Sequence, residues 1–110
     1  MSGNVLPFPQ RPPAGNEAPR TAQEYEALVQ RLAKDSKVQF GHPHFQQRLQ
    51  ERKVSMRQVL DTLRNGCVVD GPKLDQWGDW RVKMQRRVAG RRVQVVVAVK
   101  DDLLDVVTVI

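Results

Sequence analysis

One cysteine, two histidines and a near absence of proline beyond residue 20 limit what this 110-residue chain can be. Cys67 has no second thiol to pair with, so no intramolecular disulfide forms, and a reducing compartment fits. His42, His44 and Cys67 are too few and too scattered for a closed zinc site, and neither metal nor cofactor is expected. No local motif activates Cys67, which is read as a small buried apolar residue rather than a nucleophile. No apolar run is long enough to span a membrane. Met1-Ser2-Gly3-Asn4 offers neither a basic n-region nor an h-region, so no secretory signal is expected and the cytoplasm is the expected location.

Five of the seven prolines lie in residues 1–20, with Gly3, Gly15 and little apolar content. Such a composition buries too little surface to offset its ordering entropy, so a flexible tail is expected there and a single domain over 21–110. Within that tail, Leu6-Pro7-Phe8-Pro9 could dock on a partner.

Acidic residues are also unevenly placed. The formal net charge is +6 and the pI about 10.1. Residues 1–40 hold five basic and four acidic side chains, whereas residues 41–110 hold thirteen and eight. Arg81, Lys83, Arg86, Arg87, Arg91 and Arg92 fall in one twelve-residue window that contains no acid. Like charges at that density repel unless an anion is their usual neighbour, so the basic balance points to a polyanionic partner: nucleic acid, an acidic protein or an anionic membrane.

The remaining pattern is helical first and extended later. Thr21 has capping-box spacing to Glu24, and Ala22, Tyr25, Leu28, Val29 and Leu32 keep helical periodicity to about Lys34. Lys37-Val38-Gln39-Phe40 reads as a short extended piece, and Gly41-His42-Pro43 breaks it. His44, Arg48 and Arg52 then recur every four residues along one helical face, beside a strip of Phe45 and Leu49. Ser55 caps the next helix, Met56, Val59, Leu60 and Leu63 form its apolar stripe, and Gly66 occupies a C′ position.

After a short strand at Cys67–Asp70, Gly71-Pro72 is read as a turn and residues 73–78 as a polar loop containing Trp77. From Asp79 the period becomes two, with Trp80, Val82 and Met84 alternating with Arg81, Lys83 and Gln85. Trp80 is in phase with the core, and Trp77 is the freer of the two to stack on a base. Ala89-Gly90 makes a hairpin tip, Val93–Val99 a central strand, Lys100-Asp101-Asp102 a turn, and Leu103–Ile110 a final strand. The expected class is α+β, with N-terminal helices packed on one face of a three- to four-stranded antiparallel sheet.

The series His44-x-x-x-Arg48-x-x-x-Arg52-x-Val54-Ser55, then Val59, Leu63 and Gly66, resembles a bacterial domain-of-unknown-function family related to BrnT and the RelE/ParE-like toxins. The ending, with Gly90, Val95-Val96-Val97, an acidic turn and Val106-Val107-Thr108-Val109, agrees with it. The resemblance covers roughly residues 38–110. It implies a RelE/BrnT-like fold and a metal-independent ribonuclease, or a degenerate descendant of one. His44, Arg48, Arg52 and Thr108 match the motif positions and would be catalytic, while Arg81 and Lys83 correspond only loosely to basic sheet positions.

From the residues themselves, His44 either transfers protons or merely caps its helix. Arg48 and Arg52 either hold phosphate or form ion pairs with acids such as Asp61 or Asp105. The alternative function is a non-catalytic nucleic-acid-binding or protein-interaction module that uses the basic sheet face, Arg81, Lys83, Arg86, Arg87, Arg91 and Arg92. The expected partners are RNA or DNA, with an antitoxin or a second copy of the chain covering part of that face, and no membrane.

Overall fold

The structure is a computed structural model and describes residues 18–110. The expectations for Leu6-Pro7-Phe8-Pro9 and for most of the tail therefore lie outside the described residues.

Helix α1 spans Ala22–Lys34, and its start is the reciprocal cap that the sequence predicts. The Glu24 amide donates to Thr21 Oγ1 at 3.1 Å while the Thr21 amide donates to Glu24 Oε1 at 2.8 Å. Strand β1 is only Val38–Gln39, and α2 follows at Phe45–Arg52. The second predicted cap also forms: Ser55 and Gln58 exchange the same pair of bonds at the head of α3, Met56–Asn65. Strands β2 (Cys67–Leu74), β3 (Trp80–Val88), β4 (Arg91–Lys100) and β5 (Leu103–Val109) complete the chain.

The fold is α+β, but the sheet has five strands in the order β1-β5-β4-β3-β2 and is mixed rather than purely antiparallel. The extra strand is β1, which runs parallel to β5 with Val38 opposite Leu104. Two residues carry no alternation to read, so this pairing was invisible in the sequence. Strand β2 also runs further than expected. Gly71-Pro72 does not end it; the chain bulges there and pairing resumes with Lys73 opposite Arg81 and Leu74 opposite Trp80. An outer strand tolerates the proline because its missing N–H removes no essential ladder bond. Gly71 has φ +96°, and a Cβ on it would meet the Arg81 carbonyl oxygen at 2.6 Å.

All three helices lie on one face of the sheet. Tyr25, Val29 and Leu32 from α1, Phe45 and Leu49 from α2, and Val59 and Leu63 from α3 are buried there. They meet Val82 and Met84 of β3, Val93, Val95 and Val97 of β4, and Leu104, Val106 and Val109 of β5. Strand alternation fixes which side chains share this inner face. Trp80 is partly buried and packs against the same cluster. Side-chain bonds tie α1 to the start of β2: Gln30 Nε2 donates to the Gly66 carbonyl and the Val68 amide to Glu26 Oε1, both at 2.8 Å.

Gly66 does end α3, for a different reason from the one its position suggests. Its backbone is extended (φ −83°, ψ −176°), not left-handed. The glycine is required by close approach, because a Cβ would sit 2.4 Å from the Thr62 carbonyl oxygen and 2.6 Å from that of Gln85. The Ala89-Gly90 tip is as expected, with both residues at positive φ, 52° and 79°.

Candidate nucleic-acid interface

Pairing register divides the six-cation window between the two faces of the sheet. Arg86 shares the parity of Val82 and Met84, and Arg91 that of Val93 and Val95, so both turn toward the helices. Arg86 Nε pairs with Asp61 of α3 at 2.8 Å and its Nη1 donates to the Asn65 carbonyl at 3.3 Å. Arg91 donates to the Lys53 carbonyl and, at 2.7 Å, to that of Arg52, the free carbonyls at the C-terminal end of α2. These two arginines fasten helices to the sheet.

Arg81, Lys83, Arg87 and Arg92 project from the opposite, outer face, which no described helix covers. Its rows, about 6.7 Å apart along each strand, can be read from the register. At the hairpin end Arg87 faces Arg92, both exposed. In the next row Gln94 Nε2 donates to Gln85 Oε1 at 2.7 Å, with Cys67 alongside on β2. Lys83 stands between Asp70 and Val96 in the third row, and Thr108 lies beyond Val96. Lys73, Arg81, Ala98 and Asp105 make up the fourth. Cys67 is exposed here rather than buried, since no described element covers the outer side of its strand.

At its far end this face deepens into a cleft of about 340 Å³. Three acid–base pairs surround it. Arg81 Nε donates to Asp75 Oδ2 at 2.7 Å, Lys100 reaches Asp79 Oδ2 at 3.2 Å, and His42 Nε2 stands 3.5 Å from Asp105 Oδ2. Asp75 also organises the loop, its Oδ1 accepting from the amides of Trp77 and Asp79 at 2.9 Å each. Burial acts to raise the Asp75 pKa, but those two amides and the Arg81 guanidinium outweigh it, so the carboxyl titrates below its ordinary range. The Arg81 guanidinium lies 5.5 Å from the Trp77 ring centroid, and Trp77 is 67% exposed.

The candidate catalytic residues are distributed differently. His44 is the N-cap of α2 and makes no side-chain capping bond. It lines a shallow recess with Gln47, Arg48 and Glu51, in which Arg48 pairs with Glu51 at 3.6 Å. Arg52 and Thr108 do not line that recess; the Thr108 hydroxyl donates to the Val109 carbonyl at 3.2 Å. The acids considered as partners of Arg48 and Arg52 are engaged elsewhere, Asp61 with Arg86 and Asp105 with His42.

The cleft residues His42, Asp75, Asp79, Lys100 and Asp105 did not stand out as a site in the sequence. The available signal was Asp75 three residues before Gly78 and four before Asp79, the spacing of a carboxylate that closes its own turn.

A family described as Domain of unknown function (DUF4258) matches residues 42–110, the segment from His42 through β5, and the chain belongs to that family. No curated protein and no solved structure matches the chain. Among the described residues no helix is long and apolar enough to cross a membrane.

Proposed function

We propose that this member of an uncharacterised domain family is an RNA-directed module whose outer sheet face holds the phosphate backbone. The observation that carries this reading is the division of the arginines. Arg86 and Arg91 are consumed by contacts to the helices, whereas Arg87 and Arg92 face each other on the outer side. Among the described residues no carboxylate pairs with either of them. Two guanidiniums fixed across a strand pair and left without a counter-ion favour a bound anion. Lys83, two rows further along the same face, extends the charge toward the cleft.

The test is RNA retention at graded salt by the full chain and by a Lys83→Ala/Arg87→Ala/Arg92→Ala variant. Released counter-ions make log affinity fall linearly with log salt, and removing three phosphate contacts flattens that slope by up to about three units. Identical slopes reject the face as the phosphate-binding surface.

The resemblance to RelE/BrnT-like toxins supports a second reading, metal-independent cleavage of that RNA. The observation that favours it is the recess shared by His44 and Arg48, a proton-transfer group beside a phosphate-binding one. Growth arrest and RNA fragmentation on expression, both abolished by His44→Ala, would support the enzyme. Fragmentation that persists in that variant rejects His44, and harmless expression with salt-dependent RNA retention leaves the binding module.

A further inference from the structure

We propose that the cleft between Trp77, Arg81 and Asp105 is a base-binding site for single-stranded RNA, with one unstacked base on the Trp77 ring and its N–H edge donated to Asp105. The inference rests on the RNA-directed reading above and adds to it the form of nucleic acid that the face accepts.

Unequal satisfaction of the three carboxylates is the first argument. Asp75 accepts three hydrogen bonds, one of them from Arg81, and Asp79 has Lys100. Among the described residues Asp105 has only the imidazole of His42, at a distance near the limit of a hydrogen bond. Its Oδ1 is buried without a donor among the described residues, while the side chain as a whole keeps 15% of its surface, facing the cleft. A carboxylate offers about four acceptor positions, and one so largely buried is costly when most go unused. Oδ1 is out of a ligand's reach, but Oδ2 holds only the long contact to His42, and a ligand N–H donated to it stabilises the charge of the whole carboxylate.

Charge shows that this ligand group is not a phosphate. Three carboxylates face two permanent cations around the cleft, and both cations already hold carboxylates of their own. A phosphate would have to displace Asp75 or Asp79; a neutral group with a donor edge displaces nothing. Trp77 supplies the matching flat surface. Its indole is exposed and has the Arg81 guanidinium over the ring, and an exposed aromatic ring is a surface on which a base can stack. Each nucleobase has a π-face, and each carries at least one N–H on its pairing edge.

Placement completes the argument. The cleft is the end of the same outer face, one row beyond Lys83, so a strand whose phosphates lie on Arg87, Arg92 and Lys83 arrives at Trp77. The surrounding positive face attracts a polyanion and repels a cationic peptide. Bases inside a duplex are stacked and paired and cannot enter, so the site selects single strands.

The test follows the two indole N–H resonances of the full chain, one each from Trp77 and Trp80, assigned with a Trp77→Phe variant. A short single-stranded RNA is expected to shift the Trp77 resonance. A blunt-ended two-strand duplex without unpaired bases and inorganic polyphosphate are expected to bind without shifting it. Trp77→Ala and Asp105→Asn should each weaken single-strand binding about tenfold, while polyphosphate affinity stays unchanged in Trp77→Ala and unchanged or higher in Asp105→Asn, which removes a negative charge from the face. Trp77 is exposed, so its loss spares the core, and thermal melting confirms that Asp105→Asn stays folded. Single-strand binding with an unmoved Trp77 resonance, or with no loss in Trp77→Ala, overturns the base site and leaves the phosphate face standing. Failure of both RNA and polyphosphate to bind overturns both. A shift produced by an arginine-rich peptide and not by RNA overturns the proposal in favour of a protein ligand.

Discussion

Arg87 on β3 and Arg92 on β4 are direct cross-strand partners, two like charges held face to face on the side of the sheet away from the helices. Such a pair costs stability in the free protein, because like charges directly opposite each other on a strand pair repel. Replacing both with glutamine should therefore leave the melting midpoint unchanged or raise it slightly, while weakening polyanion binding. Arg86→Gln should show the reverse pattern. It loses the ion pair to Asp61 and the bond to the Asn65 carbonyl, lowering stability by up to about 1 kcal/mol for so exposed a pair, with little effect on binding. Thermal melts and salt-graded retention of the two variants side by side check the division of labour. A destabilised Arg87→Gln/Arg92→Gln variant would contradict it.

The two faces of β4 offer a sharper contrast in adjacent residues. Val97 is fully buried in the core, whereas Val96 lies on the outer face between Lys83 and Thr108. Val97→Asp places an unpaired carboxylate among helices and strands at a cost of several kcal/mol, enough to prevent folding of a small domain. Val96→Asp should fold, since the new charge faces solvent and Lys83, and should weaken RNA retention by adding negative charge to the surface. Circular dichroism melts settle the first half and retention the second. A cooperative melt for Val97→Asp would mean that β4 is not the central strand.

The helices were legible because their information is local. Thr21 with Glu24 writes a cap into four residues and Ser55 marks the start of α3, and the apolar stripes that follow name the buried face. The β3–β4 hairpin was legible for the same reason, an alternating run either side of Ala89-Gly90. What the sequence hid depends on register. The alternation places Arg81 and Lys83 opposite Trp80, Val82 and Met84, yet Arg86 and Arg87 read simply as more of one cluster until parity sends them to opposite faces. The cleft was hidden more deeply. His42, Asp75 and Asp105 come from three separate connections and strands, brought together by the pairing of a two-residue strand with β5 and by a loop folded around one carboxylate. Neither event leaves a periodic trace.

Gly66 gives a test of packing that separates two roles for a helix-ending glycine. Were it needed for a left-handed φ, asparagine would serve nearly as well as glycine. Here the backbone is extended and the obstacle is contact with the Thr62 and Gln85 carbonyls. Gly66→Ala and Gly66→Asn should thus both destabilise, by about 1–3 kcal/mol as overpacked sites do. Chemical denaturation of the two variants checks this. An Asn variant near wild-type stability, beside a damaged Ala variant, would return the position to the conformational role.

Asp75 links the cleft to pH. Its side chain is 9% exposed, and its net pKa shift is downward because the Trp77 and Asp79 amides and Arg81 together outweigh burial. A carboxyl whose folded pKa lies below its unfolded one binds fewer protons in the native state across the interval between them. Its contribution is therefore complete above the unfolded value, near 4, and is lost as pH falls through the folded value. Asp75→Asn keeps an oxygen that can accept from the two amides and removes the charge that holds Arg81. The variant should be less stable than the wild type at neutral pH, and the gap should close as the pH is lowered through the folded value of the Asp75 carboxyl. Urea denaturation at a series of pH values measures that gap directly. A gap constant across the series would mean that the Asp75 charge contributes nothing, and that the loop beneath Trp77 is held by its amide bonds alone.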